Sequence, residues 1–182
     1  MPVNESIFDM LQKVKIYFRN NTKPPVFCDV QTQCLAIAEK YEKEAAAVTS
    51  LMPGALEALK ELTKMNLKLG LCTLSNKMTA DYILNRFKIR EYFQAIVTRD
   101  EVKRVKPDTE QLELALKTLA VPSDAAVVVG DSIIDMQSAK DLKVLAIGLP
   151  TGISTKEQLI KNGANYILTS LVELPSLITK IA

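Results

Sequence analysis

The stretch AVVVGDSIIDMQSAK, residues 126–140, decides the fold. An unbroken Ala-Val-Val-Val run is the pattern of a strand buried on both faces of a parallel sheet. Gly130 then allows a sharp turn, and Asp131 and Ser132 follow before a helical pattern resumes. Asp135 stands four positions after Asp131, with no basic residue between them. Two carboxylates at the end of a buried strand suit a hard divalent cation, and strand ends are where open α/β sheets bind their ligands. The competing reading is that Asp131 or Ser132 only caps the helix, worth about 1 kcal/mol.

Outward from this stretch the chain alternates. Strands are expected at 67–73, 95–98, 126–130, 144–150 and 166–168, with helices at 76–88, 109–120, 134–142, 155–163 and 171–182. Strand–helix alternation implies a mostly parallel sheet covered on both faces. An amphipathic helix is expected at 54–65, just after Pro53. Upstream the character changes. Residues 5–18 and 31–48 read as helices joined by the loop 19–25, so 1–50 form a helical segment apart from an α/β core at 51–182.

Composition removes several function classes. The 182 residues carry a net charge of +2, only 5% aromatics and no tryptophan, which argues against a nucleic-acid surface. No apolar run is long enough to span a bilayer and no signal-peptide pattern opens the chain, so the expectation is a cytoplasmic protein with no membrane partner. The three cysteines are odd in number and lack a Cys-x-x-Cys, as reduced thiols do. There is no histidine at all. That excludes a Ser-His-Asp triad within the chain, including the hydrolases that also begin their motif Gly-Asp-Ser. It also leaves any metal to oxygen ligands, which suits magnesium.

Two further residues stand at strand ends. Thr73 closes the 67–73 strand with a hydroxyl and nearby backbone N–H groups, both good phosphate ligands; alone, it reads equally as a helix cap. Lys106, just before Pro107, offers a compact positive charge; alone, it reads as one solvated lysine beside Lys103 and Arg104.

A threonine at a strand end, then Lys-Pro, then Gly-Asp-Ser-x-x-Asp, on successive strand–helix units, resembles the haloacid dehalogenase-like (HAD) phosphatase superfamily. The segments LMPGALEALKEL, RDEVKRVKPDTEQLELALKTL, SAKDLKVLAIGLPTGIS and YILTSLVELPSLI extend the similarity over about residues 50–182. AEKYEKEAAAVTSLMPG resembles the end of the helical cap in phosphoglycolate-phosphatase-like members. The resemblance implies a HAD-like Rossmannoid sheet with a small N-terminal helical cap. It also implies magnesium-dependent hydrolysis of a small phosphorylated metabolite through an aspartyl-phosphate. Thr73 and Lys106 would hold the phosphoryl oxygens, and Asp131, supported by Asp135, would hold the metal.

The family's first motif, Asp-x-Asp at the end of the central strand, supplies nucleophile and acid. No such string occurs. Asp9 in SIFDML and Asp29 in PVFCDV are partial look-alikes, with Leu11 and Gln31 where the second acid belongs. Residues 1–50 match a cap that follows the motif in family members. The expectation is therefore that the start codon lies further upstream, or that the first strand is lost and the protein is a catalytically inactive phosphate- or metal-binding relative. A lost central strand leaves unpaired edges, to be patched by PVFCDV or a second subunit; otherwise a slot stays open. The oligomeric state is left open by the sequence.

Overall fold

The computed structural model describes residues 25–152 and 154–181, with side chains from Thr32 onward. The chain divides into two compact units, Met1–Thr49 and Ser50–Ala182. The described part of the first is one helix, α1 (Pro25–Val48). PVFCDV is thus helical, with Pro25 at a first-turn position where its missing N–H costs nothing. This corrects the reading of 25–30 as a segment able to patch a sheet. The helix expected at 5–18, with Asp9, lies outside the described residues.

The second unit runs α2 (Ala55–Lys64), β1 (Gly70–Cys72), α3 (Lys77–Arg86), β2 (Ala95–Val97), α4 (Glu110–Leu119), β3 (Val127–Gly130), α5 (Ile133–Asp141), β4 (Leu145–Gly148), α6 (Lys156–Lys161), β5 (Tyr166–Ile167) and α7 (Leu174–Ile181). Every expected strand and helix of the core is present, the strands shorter than their apolar runs. No described helix is long and apolar enough to cross a membrane.

β4 shows why the order holds. Ile147 and Leu149 pack with Leu62 of α2, Leu168 and Leu174 of α7 on one face. Ala146 packs with Met136 and Ala139 of α5 and Leu159 of α6 on the other. Ala146, Ile147 and Leu159 are fully buried. Strand side chains alternate, so one apolar strand serves both layers.

All pairings are parallel, yet among the described residues they form two part-sheets: β1 with β2, and β3–β4–β5. Leu69 O and Thr73 N bond to the β2 side. By the alternation of a parallel ladder, the N–H and C=O of Gly70 and Cys72 then face the opposite way. Likewise Gly130 O accepts from Leu149 N, which turns Val127 and Val129 backbone groups to the free edge of β3. Val127 and Val129 keep 36% and 38% of their surface exposed, unusual for a parallel α/β strand. This is the place where the sequence leads one to expect a slot: among the described residues no strand stands between β1 and β3.

The two kinds of apolar position should respond differently to mutation. Ile147→Ala is expected to cost about 2–5 kcal/mol, whereas Val129→Thr in the slot should stay within about 0.5 kcal/mol. Urea unfolding of the two variants measures both; a large loss for Val129→Thr would show that its side chain is covered in solution.

Candidate functional site

The C-terminal ends of β1 and β3 carry the expected residues, and Lys106 connects them. Its Nζ lies 2.6 Å from Asp135 Oδ1 and 3.1 Å from Cys72 O. Both charged side chains are nearly buried, at 13% and 12% exposed. The lysine therefore does not wave in solvent among Lys103 and Arg104. One end of its ammonium takes a carbonyl that the free edge of β1 leaves unpaired.

Asp135 has its second oxygen occupied too. Oδ2 accepts from Ser132 N at 3.3 Å, and the Ser132 hydroxyl in turn caps the first turn of α5. Ser132-Ile-Ile-Asp135 is a capping box. Gly130 is required by this packing rather than by its turn: a Cβ there would sit 2.5 Å from Asp135 Cβ. Asp135, expected beside Asp131 at a metal, thus has one oxygen on Lys106 and the other on a backbone N–H.

Asp131 is different. Its carboxylate is exposed and, among the described residues, accepts no hydrogen bond. The loop after β4 passes against it; a Cβ on Gly152 would lie 2.2 Å from Asp131 Oδ2. Ser154, nearly buried, accepts from Ile133 N at 3.2 Å and ties that loop to α5. Among the described residues no three His, Cys, Asp or Glu side chains gather to hold a metal. A single free carboxylate still suits magnesium, which keeps several waters and shares substrate phosphates. It does not make a closed cage.

Thr73 follows β1 directly. Its N–H bonds Val97 O at 3.0 Å, and its Oγ1 accepts from Ser75 N at 3.1 Å. It does not cap the helix, because Asn76 does so by accepting from Thr79 N at 2.7 Å. The Thr73 hydroxyl proton is left to donate. Arg99 closes the same turn by donating to Leu74 O at 3.0 Å.

Sequence reasoning missed Gln111. It is fully buried, accepts from Lys106 N at 3.1 Å and donates to Thr73 O at 2.9 Å. Neighbouring Glu110 accepts from Lys103 N and Arg104 N at 2.9 and 3.0 Å. Those bonds, Lys103 first, hold the Glu110 carboxyl below the usual carboxylate range. The available signal was a glutamine on the apolar stripe of an amphipathic helix. Asp29, the other candidate, lies on α1 rather than at a strand end.

Cys72, between Gly70-Leu71 and Thr73, is a free thiol whose pKa is pushed up to about 11 by burial, against an opposing pull from Lys106. The folded state holds that proton above the ordinary value of 9.0, where the unfolded chain releases it. Its contribution to stability is therefore full below pH 9.0 and lost as pH rises toward 11. Cys72→Ser should remove this fall in a urea-midpoint profile across that window. Asp135→Asn leaves the Lys106 ammonium without its counter-charge, at a cost of about 3–5 kcal/mol. Adding Lys106→Met should restore part of it, a coupling that a double-mutant cycle reads directly.

Comparisons with known proteins show the family. The profile of the family described as Haloacid dehalogenase-like hydrolase matches residues 6–149. The N-acetylmuramic acid 6-phosphate phosphatase of Pseudomonas putida is 30% identical over 145 residues, covering 79% of this chain and 65% of that protein. Pyrophosphatase PpaX of Listeria monocytogenes is 29% identical over 128 residues, covering 69% of this chain and 58% of that protein. The chain thus spans under two thirds of the length of these curated relatives. A hydrolase from Pseudomonas syringae superposes with a TM-score of 0.79 at 29% identity, covering 95% of this chain and 77% of that one. A putative beta-phosphoglucomutase from Thermotoga maritima shares the fold with a TM-score of 0.71 at 22% identity, over 100% of this chain and 85% of that one.

Proposed function

Because this chain belongs to the haloacid dehalogenase-like hydrolases, we propose that its Ser50–Ala182 unit is the phosphate-holding part of a magnesium-dependent phosphatase acting on a small phosphate monoester. The observation that carries the reading is the meeting of Thr73, Lys106, Asp135 and Asp131 at the ends of β1 and β3, with Lys106 bonded to both sides. Phosphoryl transfer asks a protein mainly for positioning and charge neutralisation. Thr73 donates its hydroxyl to a phosphoryl oxygen, and Lys106 neutralises a second. Asp135 aims Lys106. Asp131 is the residue that would hold magnesium, which when bound supplies positive charge to the phosphoryl group. By its sequence resemblance the helical segment ahead of Ser50 is cap-like.

The charge count gives the reading a requirement. One lysine faces two carboxylates, so the bare site is net negative and resists a phosphate dianion until a divalent cation arrives.

A second reading has its own support. Among the described residues no strand pairs with the facing edges of β1 and β3, where the family's nucleophile strand is expected, and Val127 and Val129 are part-exposed there. Among the described residues no third carboxylate joins Asp131 and Asp135. A protein without that strand would bind phosphate and metal without turnover, as a regulatory relative.

Calorimetric titration with orthophosphate tests the cradle. Binding is expected with magnesium and not without it, weakened about tenfold or more by Lys106→Met and by Asp131→Ala. Failure to bind with magnesium present would sink the reading. Hydrolysis of p-nitrophenyl phosphate decides the rest: turnover that disappears in Asp131→Ala means that a complete phosphatase site exists, and binding without turnover selects the regulatory relative.

A further inference from the structure

Thr73 and Lys106 come from different loops, 33 positions apart in sequence, and loops are mobile unless something holds them. One side chain touches the backbone of both. We propose that Gln111 is a positioning residue that fixes Lys106 relative to Thr73, an inference that rests on reading these two as a phosphate cradle. Gln111 is the second residue of α4 and is 0% exposed. Burying an amide without partners costs free energy, so its bonds matter. Oε1 accepts from Lys106 N at 3.1 Å; Nε2 donates to Thr73 O at 2.9 Å and, more weakly, to Val97 O at 3.5 Å. A side-chain amide of this length offers an acceptor to one loop and a donor to the other from one rigid plane at any pH.

The effect on Lys106 is specific. Its backbone is held at N by Gln111 and its ammonium by Asp135 and Cys72 O. With both ends fixed, the four-carbon stem has one direction to follow. Glu110 anchors the preceding Lys103–Arg104 backbone in the same way, so the loop arrives at Lys106 already tied to the start of α4. Thr73 is held through its carbonyl by Gln111 and through its N–H by Val97, and its Oγ1 accepts from Ser75 N, which leaves the hydroxyl proton as its free part. A purely structural amide would fill space and bond whichever groups lay near. Gln111 instead joins the two residues that would grip the same phosphate.

Two substitutions separate positioning from packing. Gln111→Met keeps the volume and loses every bond. Gln111→Glu keeps the acceptor for Lys106 N but, when ionised, sets a carboxylate against Thr73 O; when protonated it regains a donor. Burial raises the pKa of the introduced carboxyl, so recovery should come between about pH 8 and about pH 5.5.

Two measurements on the full chain are made. Amide hydrogen exchange at Lys106, normalised to the Ile147 amide, should quicken about tenfold or more in Gln111→Met and stay near wild type in Gln111→Glu. The dissociation constant for orthophosphate with magnesium should rise about tenfold in Gln111→Met and in Gln111→Glu at high pH. At low pH, relative to wild type at the same pH, Gln111→Glu should bind nearly normally. Unchanged Lys106 exchange together with unchanged phosphate affinity in Gln111→Met, at reduced stability, would overturn the proposal and leave a core amide. So would a Gln111→Glu affinity that does not recover with acid. If wild type binds no phosphate, the cradle reading fails by itself, and Lys106 exchange still decides whether Gln111 holds the loop.

Discussion

The contact between Lys106 Nζ and Asp135 Oδ1, at 2.6 Å, crosses from one part-sheet to the other. Lys106 belongs to the loop between β2 and α4, and its ammonium also reaches the last carbonyl of β1. Asp135 belongs to the first turn of α5 and leans on Gly130, the last residue of β3. No described strand joins β1 to β3, so this pair is a polar tie at the end where the ligand chemistry would occur. Two charges so little exposed persist only when their remaining bonds are met. Each has one further bond: a backbone carbonyl for the lysine, which keeps its third N–H, and a backbone N–H for the carboxylate.

That tie explains why Asp131 and Asp135 differ although both follow the same valine strand. Asp131 lies before the helix and points out to solvent. Asp135 lies on the helix, where its position three residues after Ser132 returns its carboxylate to the N-terminal N–H. The same carboxylate then meets Lys106. A sequence that places two acids four apart invites the idea of a shared cation. The fold divides the labour, giving one acid to the solvent edge and the other to the lysine.

Much of the fold was legible because the core strands are written as apolar runs and the helices as amphipathic ones. Val127–Gly130 and Leu145–Gly148 were readable from their composition alone, and the strand-end positions of Asp131 after β3 and of Thr73 after the Leu-Gly-Leu-Cys run followed from such runs, while Lys106 was placed only in the loop after β2. A helix cap at Asp131 or Ser132 was legible too, though its pairing with Asp135 in a capping box was not. What local pattern could not tell was the conformation of PVFCDV, whose β-branched and aromatic residues suit a strand while the Ala- and Glu-rich run behind it continues a helix through it. Nor could it tell which partners Gln111 would find. A glutamine on an apolar stripe reads as a flaw in the stripe until tertiary structure brings two loops to it.

The open edge and the polar ties belong to one physical account. A continuous parallel sheet fixes its loops through the ladder, because each strand holds its neighbour's register. Between β1 and β3 no described strand supplies that ladder. The end of this gap is instead organised by side chains from the starts of helices: Asn76 at α3, Glu110 and Gln111 at α4, Ser132 and Asp135 at α5. Each bonds backbone groups of its own βα junction or the one beside it. The strand-end residues can therefore hold their relation through helix-borne polar bonds, independently of what fills the slot. Among the described residues the sheet is in two parts, while the side chains suited to gripping a phosphate are fixed from the helices around them.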